Sequence, residues 1–264
     1  MSDQEILYEK QGHIALVTFN RPQVLNAFRM TMFNRLLAIL AEVREDEQVR
    51  VLVLTGQGRA FSAGIDLEEQ AQRYEARLDE ADAEAGLRAM QDLTRQMRAL
   101  PKPIIAALNG LAVGVGAELA IASDIRLASE EAYFMFAEVK RALFETNGVM
   151  YFLPRLVGLG RALAMMLTGD KISAHDALSS GLVTQVYPAN KLHSEALALA
   201  ERLANHAPLS LRLVKQVAEQ SYTLDLEGIM DLEVQGMLAC LRSEDYHEGL
   251  RSFIEQRSPR YTGR

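Results

Sequence analysis

A strand, a glycine turn and the start of a helix follow one another in KPIIAALNGLAVGVGAE, residues Lys102 to Glu118. Ile104–Leu108 is a short, wholly apolar run, which is typical of a parallel strand covered on both faces. The small residues of Gly110–Glu118 then form a turn that leads into the apolar helical run Ala117–Ala122. Backbone N–H groups in such a turn lie at a helix N-terminus, where the partial positive charge favours an anion.

The same alternation of strand and helix occurs upstream of this stretch. His13–Phe19 and Val51–Leu54 are predicted strands, because both are dominated by apolar residues. Between these two strands, apolar residues recur at helical spacing from Thr31, and we expect Thr31 to cap the helix that they predict. A second helical pattern, Met90–Leu100, follows the second strand. Strand, helix and strand repeated in this way predict an α/β fold with a mostly parallel sheet.

The pattern becomes helical from about Lys191 to the last residue. The expected helices are Leu192–His206, Pro208–Tyr222, Leu224–Leu241 and Asp245–Gln256. Pro208 suits a first-turn position, where a missing N–H costs nothing. We therefore expect two units, a core at residues 1–190 and a helical region at residues 191–264.

Composition narrows the classes of partner. The 264 residues are 49% hydrophobic and 24% charged, which is ordinary for a globular protein. A net charge of −7 without a basic cluster argues against a nucleic-acid partner. The acidic N-terminal stretch resembles neither a signal nor a transit peptide, and no apolar run is long enough to span a bilayer, so we expect a cytosolic protein with no membrane partner.

Several chemistries lack the residues that they need. Gly56–Phe61 and Gly114–Leu119 begin like dinucleotide-binding fingerprints but lack the third glycine, and Ser62 does not lie in a Gly-x-Ser-x-Gly sequence. The single Cys240 excludes an internal disulfide and a cysteine-rich zinc site. The five histidines are scattered, with no helical pair spaced for a metal. The sequence therefore predicts no metal centre and no nicotinamide chemistry.

Five motifs in consecutive order resemble those of the enoyl-CoA hydratase/isomerase (crotonase) superfamily. They are NRPQVLNAF at Asn20–Phe28, GRAFSAGID at Gly58–Asp66, KPIIAALNG at Lys102–Gly110, LTGDKISA at Leu167–Ala174, and GLV at Gly181–Val183. The resemblance extends from about residue 5 to the C-terminus. It implies an α/β fold with a ββα spiral core that binds acyl-CoA, followed by a helical C-terminal trimerisation region.

The resemblance also implies roles for individual residues. The oxyanion hole falls on the backbone N–H groups of Ile65 and Val115, and Val115 stands where the family has a glycine. The catalytic pair is Glu118 and Glu138. Further substrate-binding positions are Ala63, Gly64, Asp66, Gly114, Glu145 and Gly148.

Two carboxylates suit the addition of water to a C2=C3 double bond. One removes a proton from water at C3, the other delivers a proton to C2, and the oxyanion hole stabilises the enolate between these steps. The expected activity is thus that of an enoyl-CoA hydratase, with no cofactor besides the coenzyme A of its substrate, assembled as a homotrimer or hexamer. Double-bond isomerisation, thioester hydrolysis involving Glu145, and a non-catalytic acyl-CoA-binding oligomer remain alternatives.

Besides Val115, the sequence departs from the family pattern at Leu143–Gly148, at Glu68, and in the segment between Asp66 and Lys102, which is several residues longer than in short-chain hydratases. Leu143–Gly148 (LFETNG) replaces a glycine-rich segment, so Glu145 adds a third carboxylate, unless it is a helix N-terminal acid. Glu68 replaces a lysine that some members use, which implies different contacts with the CoA phosphates. Seven acids lie in Glu68–Glu84, and we expect this stretch to be a mobile lid over the acyl pocket rather than a rigid solvated helix or loop.

Overall fold

The computed structural model describes residues 4–75 and 80–264. Within these residues the chain forms ten strands and eleven α-helices. The strands are β1 Ile6–Gln11, β2 Ile14–Phe19, β3 Val51–Gly56, β4 Ala60–Ser62, β5 Ile104–Leu108, β6 Leu111–Val113, β7 Ile125–Ser129, β8 Tyr133–Met135, β9 Ile172–Ser173 and β10 Gln185–Tyr187. The helices are α1 Met30–Glu45, α2 Leu67–Glu75, α3 Glu80–Ala99, α4 Val115–Ala122, α5 Val149–Val157, α6 Leu159–Thr168, α7 Ala174–Ser179, α8 Ala189–Ala204, α9 Pro208–Gln220, α10 Leu226–Leu241 and α11 Glu244–Ile254.

The strands form two sheets, which the chain visits alternately. The larger sheet has the order β1-β2-β3-β5-β7-β10 and is parallel except for the β1–β2 hairpin. The smaller sheet has the order β4-β6-β8-β9. β3 is followed directly by β4, β5 by β6, and β7 by β8, and helices follow each pair. This repetition is a ββα spiral, so the predicted α/β fold is confirmed.

Both faces of the larger sheet are covered by helices. Along β3, Leu52 and Leu54 face the core formed with α1, α3 and α4, whereas Val51 and Val53 face α8. Side chains alternate between the two faces because a strand has a period of two residues. Double coverage explains why Ile104–Leu108 is apolar at every position, as the sequence predicted.

The first helix after residue 190 packs on this sheet. α8 buries one face in the core, through residues spaced by four: Leu192, Ala196, Ala200 and Ala204. α9 and α10 contain no buried residue within the chain. The division into units at residues 1–190 and 191–264 remains a prediction. α8 lies in the second of these units, but its buried residues pack against the larger sheet of the first.

Several details differ from the expectation. The hairpin strand β1 and the smaller sheet were not predicted, because their strands are short or carry polar residues on one face. Thr31 does not cap α1: the helix begins at Met30, and the Thr31 hydroxyl donates to Glu5 instead, at 2.5 Å. Pro208 does occupy the first turn of α9.

The acidic stretch Glu68–Glu84 contains most of α2 and the first residues of α3. Residues 76–79, in its middle, lie outside the described part of the chain. Its predicted role as a lid remains a prediction. No helix in the described ranges combines the length and apolar character needed to cross a bilayer.

Candidate active site

Two glycine turns meet backbone to backbone at the ends of β4 and β6. Gly64 and Gly114 have φ angles of +95° and +48°, which side chains other than glycine rarely adopt. A Cβ atom on Gly64 would lie 2.9 Å from the Val113 carbonyl oxygen, and one on Gly114 would lie 2.8 Å from Glu138 Oε1. Conformation therefore favours glycine at both positions, and at Gly64 the Val113 backbone also leaves no room for a side chain.

Each turn has one backbone N–H group without an acceptor in the part of the chain that the structure describes. Hydrogen bonds from Phe28 N–H to Gly64 (2.7 Å) and from Asp66 N–H to Phe28 (2.9 Å) fix the chain on both sides of Ile65. The N–H groups of Ile65 and Val115 have no acceptor among the described residues. Val115 is the first residue of α4 and has no positive φ, so valine is accommodated there without backbone strain. The turns thus bring together the two N–H groups expected to form an oxyanion hole.

Asp66 supports the first turn. Its buried carboxylate is 2.8 Å from Arg21 and 3.0 Å from Arg29, and it accepts the Glu68 and Glu69 amides at the start of α2. Burial alone would raise the pKa of Asp66, but the hydrogen bonds from the two arginines outweigh it, and the pKa is lowered. Both oxygens take part in these contacts, which hold the chain beside Ile65, and the substrate contact of Asp66 remains a prediction.

Glu118 lies in the first turn of α4, a helix whose eight residues are all buried. Its side chain is 2% exposed and accepts hydrogen bonds from Thr146 Oγ1 at 3.0 Å and from Asn147 Nδ2 at 2.5 Å. Burial raises the pKa of Glu118 to about 7, the Asn147 hydrogen bond opposes this rise, and the charge of Glu138 adds to it. A carboxylate with such a pKa can accept and return a proton near neutrality.

Glu138 approaches the same point from the other side. It begins a short 3₁₀ turn, Glu138–Arg141, which follows β8 after two intervening residues, and its Oε1 atom lies against Gly114. Its Oε2 atom is buried and has no hydrogen-bond partner among the described residues. The two glutamates predicted to act together are therefore brought together.

Glu145 is a third member of this cluster. One oxygen from each of Glu118, Glu138 and Glu145 lies within 4.8 Å of the other two. Glu145 is 6% exposed, and within the described chain neither of its oxygens accepts a hydrogen bond. Burial and the nearby charge of Glu138 raise its pKa. The alternative of a helix N-terminal acid is wrong, since α5 begins at Val149 with Gly148 as its N-cap.

Thr146 and Asn147 were not predicted as site residues. They follow Glu145 in the segment where the sequence departs from the family pattern, and that departure was the only indication of their position. Gly148 has a φ of +89°, and a Cβ there would lie 2.7 Å from the Phe152 ring, so it has a conformational role at the start of α5. Direct substrate contacts of Gly148 and Ala63 remain predictions.

The arrangement has the elements needed for chemistry at a carbonyl group. Two N–H groups can stabilise an oxyanion, one hydrogen-bonded carboxylate can act as a base, and adjacent carboxyl groups can hold a proton. The three glutamates are also spaced closely enough to hold a cation, and no other such cluster of potential ligands occurs in residues 4–75 and 80–264.

A ββα spiral with paired amides beside buried carboxylates defines an enzyme of the crotonase fold. The sequence profile of the enoyl-CoA hydratase/isomerase family matches residues 9–264, and the chain belongs to this family. A crystal structure of an enoyl-CoA hydratase from Bacillus anthracis has a TM-score of 0.94 at 34% identity, covering 99% of this chain and 100% of that one.

Two curated relatives indicate the range of reactions in the family. The chain is 36% identical to a 1,2-epoxyphenylacetyl-CoA isomerase from Escherichia coli, over 98% of both chains. It is 39% identical to an (E)-benzylidenesuccinyl-CoA hydratase from Thauera aromatica, over 98% of this chain and 99% of the relative.

Proposed function

We propose that the protein is an enoyl-CoA hydratase, which adds water across the C2=C3 bond of a 2-enoyl-CoA thioester. The observation that carries the proposal is the convergence of the Glu118 and Glu138 carboxyl groups beside the unpaired amides of Ile65 and Val115. A base and an acid are needed at neighbouring carbon atoms, and the enolate oxygen needs donors that are already in position.

The reaction follows from these positions. The thioester oxygen accepts hydrogen bonds from the Ile65 and Val115 amides, which draw electron density from C3. Ionised Glu118 takes a proton from water as the water oxygen bonds to C3, and an enolate forms. Glu138 then donates a proton to C2, and the carbonyl is restored. Coenzyme A is part of the substrate, and the chemistry requires no additional cofactor.

The family name covers isomerases as well as hydratases, so double-bond isomerisation is the competing function. Moving a double bond needs one group that removes a proton and returns it at another carbon, without water. The second carboxyl group beside Glu118 supports the hydratase instead, because one group is enough for isomerisation whereas hydration needs a base at C3 and an acid at C2. The assembly as a homotrimer or hexamer and the cytosolic location remain part of the proposal.

Substitution of each glutamate tests the mechanism. Glu118→Gln and Glu138→Gln are nearly isosteric, and we expect each to lower hydration by about 10²–10⁴-fold, the usual contribution of a general acid or base. Hydration and isomerisation are measured on straight-chain, dicarboxylic and aromatic enoyl-CoA thioesters, with exposed Glu131→Gln as the control. Hydration within about threefold of the parent in either variant contradicts the two-carboxylate mechanism, and retained isomerisation with no hydration favours the isomerase.

A further inference from the structure

We propose that Glu145 shares one proton with Glu138, and that this pair supplies the proton delivered to C2. The inference rests on the proposed hydration and adds a residue to it. Glu145 acts through Glu138, so it is a positioning residue for the proton rather than a group that touches the substrate.

The three carboxyl groups of the cluster are too close together to be ionised at the same time. Oxygen atoms of Glu118, Glu138 and Glu145 lie within 4.8 Å of one another, and two of the three side chains are buried. Like charges at this separation repel strongly when water is excluded, so all three groups cannot be ionised together near neutral pH. At least one proton must therefore be held inside the cluster.

The hydrogen bonds decide where that proton lies. Glu118 accepts from Thr146 and Asn147, and such donors stabilise its ionised form. Glu138 Oε2 and both oxygens of Glu145 are buried, and none has a donor within the described residues. The Glu145 and Glu138 side chains lie within hydrogen-bonding reach of each other, so a proton held between them supplies the missing hydrogen bond and removes one charge from the cluster.

The surrounding groups do not replace this proton. Among the described residues, the charges that act on Glu145 are those of Glu138 and Glu118. Lys140 and Arg141 follow Glu138 but are exposed, and Lys140 pairs with Asp170 at 3.1 Å. α3 contributes the neutral Thr94, whose hydroxyl donates to the Asn147 carbonyl.

The proton balance over one turnover is complete. Glu118 gains the proton that leaves water, the water oxygen bonds to C3, and C2 gains the proton that the pair held. The pair is then doubly ionised beside a neutral Glu118, and a proton passes from Glu118 back to the pair to restore the starting state. No oxidant, reductant or further reactant is needed.

The pH dependence of kcat/KM tests the pairing. In the parent, activity declines at alkaline pH when the pair loses its shared proton. Glu145→Gln keeps the shape of the side chain but leaves Glu138 with one fewer carboxylate beside it, so we expect the alkaline limb to move to lower pH by at least about one unit. Glu145→Asp, which can still share a proton, should retain most of the parental limb, and Glu131→Gln is the control.

Infrared titration gives a measurement that needs no substrate. The parent should have a protonated carboxyl C=O band that persists above about pH 7, where Glu118 is ionised. Glu145→Gln and Glu138→Gln should each lose this band. An unchanged profile and an unchanged band in Glu145→Gln overturn the inference, even if its thermal stability falls.

Two further outcomes separate the inference from its alternatives. Loss of hydration after EDTA treatment, restored by a divalent cation, overturns proton sharing in favour of a metal bound by the three glutamates. A parent enzyme that hydrates no enoyl-CoA refutes the proposed function, whereas the infrared band still decides whether Glu138 and Glu145 share a proton.

Discussion

At the scale of single residues, the surroundings of Glu118 set a balance between burial and hydrogen bonding. Exclusion of water disfavours its charge, whereas the Thr146 and Asn147 donors favour it, and the outcome is a pKa of about 7. Asn147 itself has a φ of +48°, a conformation in which asparagine is tolerated better than most side chains. The chain thus holds an unusual backbone angle at the residue that supports the base.

Removal of the Asn147 donor should move the acid limb of the activity profile. A hydrogen bond to a charged group contributes about 1.5–3 kcal/mol, so its loss raises the pKa of Glu118 by about one to two units. Because the base must be ionised, kcat/KM declines when acid protonates Glu118. In Asn147→Gly this decline should begin at a correspondingly higher pH than in the parent. Glycine keeps the positive φ available, and the measurement is the pH dependence of hydration.

Ala142→Gly is the matched control for that variant. Ala142 lies five residues before Asn147 and has a similar φ of +56°, and its methyl side chain cannot donate a hydrogen bond to Glu118. Its acid limb should coincide with that of the parent. A limb that is equally unshifted in Asn147→Gly would show that Asn147 does not control the ionisation of Glu118.

The sequence predicted the reacting groups better than it predicted the residues that hold them in position. Glu118, Glu138 and the two amides lie in motifs with recognisable spacing, so their roles could be predicted from the resemblance. Asn147 and the arginine partners of Asp66 could not, because their contacts join residues 29 to 45 positions apart in the chain. Such pairs depend on how the elements pack, which no local pattern specifies.

At the scale of elements, Asp66 links the oxyanion turn to the start of α2. Replacing it with alanine removes two ion pairs and a helix cap together, and it leaves the buried Arg21 with only the longer Glu5 contact, at 3.3 Å. Breaking a buried pair typically costs about 3–5 kcal/mol. Asp66→Ala should lower the free energy of unfolding by about this amount, whereas Asp66→Asn, which can still cap α2, should lose less.

Urea unfolding measures both variants against a surface control. Arg88→Ala breaks an exposed pair with Glu84 and should change stability by less than about 1 kcal/mol. If Asp66→Ala were as stable as Arg88→Ala, the ion pairs would not hold the turn. Hydration should fall with stability in Asp66→Ala, since the Ile65 amide lies next to the residue that is lost.

α2 carries the prediction that the acidic stretch is a lid. None of its side chains with described burial is buried, and it is attached near its start by Asp66 and by a 3.1 Å hydrogen bond between the Met30 amide and Glu69. A helix that buries so little should open at small cost. We expect fast hydrogen exchange in α2 that slows when an acyl-CoA binds, with slow exchange of the buried helix α4 in both states.

Shortening the acidic stretch provides a second measurement of the lid. If exchange is the same with and without ligand, and deletion within Glu69–Glu84 leaves substrate preference unchanged, the segment is only surface. A changed order of preference among short, long and aromatic acyl groups supports a role in admitting them.

The ends of an element could be predicted from the sequence where all of its residues are buried. β5 was predicted with the correct ends, because a wholly apolar run between two prolines and an asparagine leaves few choices. α3 begins ten residues before the predicted helix, at Glu80 rather than Met90, since its first half is polar and lacks an apolar stripe. β4, β6, β8 and β9 form a sheet of strands with only two or three residues, too short for a periodic pattern.

At the scale of the whole molecule, the C-terminal helices leave a large apolar surface uncovered. α10 has two apolar stripes: one, including Ile229 and Leu232, is half-buried, and a second is exposed. The exposed stripe consists of Leu226, Met230, Val234, Met237, Leu238 and Leu241. Phe253, at the end of α11, is 83% exposed. Contiguous apolar surface of this kind is typical of an interface between subunits.

A charge placed on this surface should separate the subunits. We expect the parent to sediment as a trimer, or as a hexamer of paired trimers, at micromolar concentration; the number three comes from the family resemblance. Met237→Glu and Phe253→Glu should shift the protein towards monomer, because burying an unpaired carboxylate in an apolar contact is costly. Gln235→Glu adds the same charge to an exposed polar position on α10 and is the matched control.

Sedimentation velocity separates these species by mass, and circular dichroism verifies that each variant remains folded. A parent that sediments as a stable monomer would contradict the prediction, since the exposed stripe would then have no second copy to cover it.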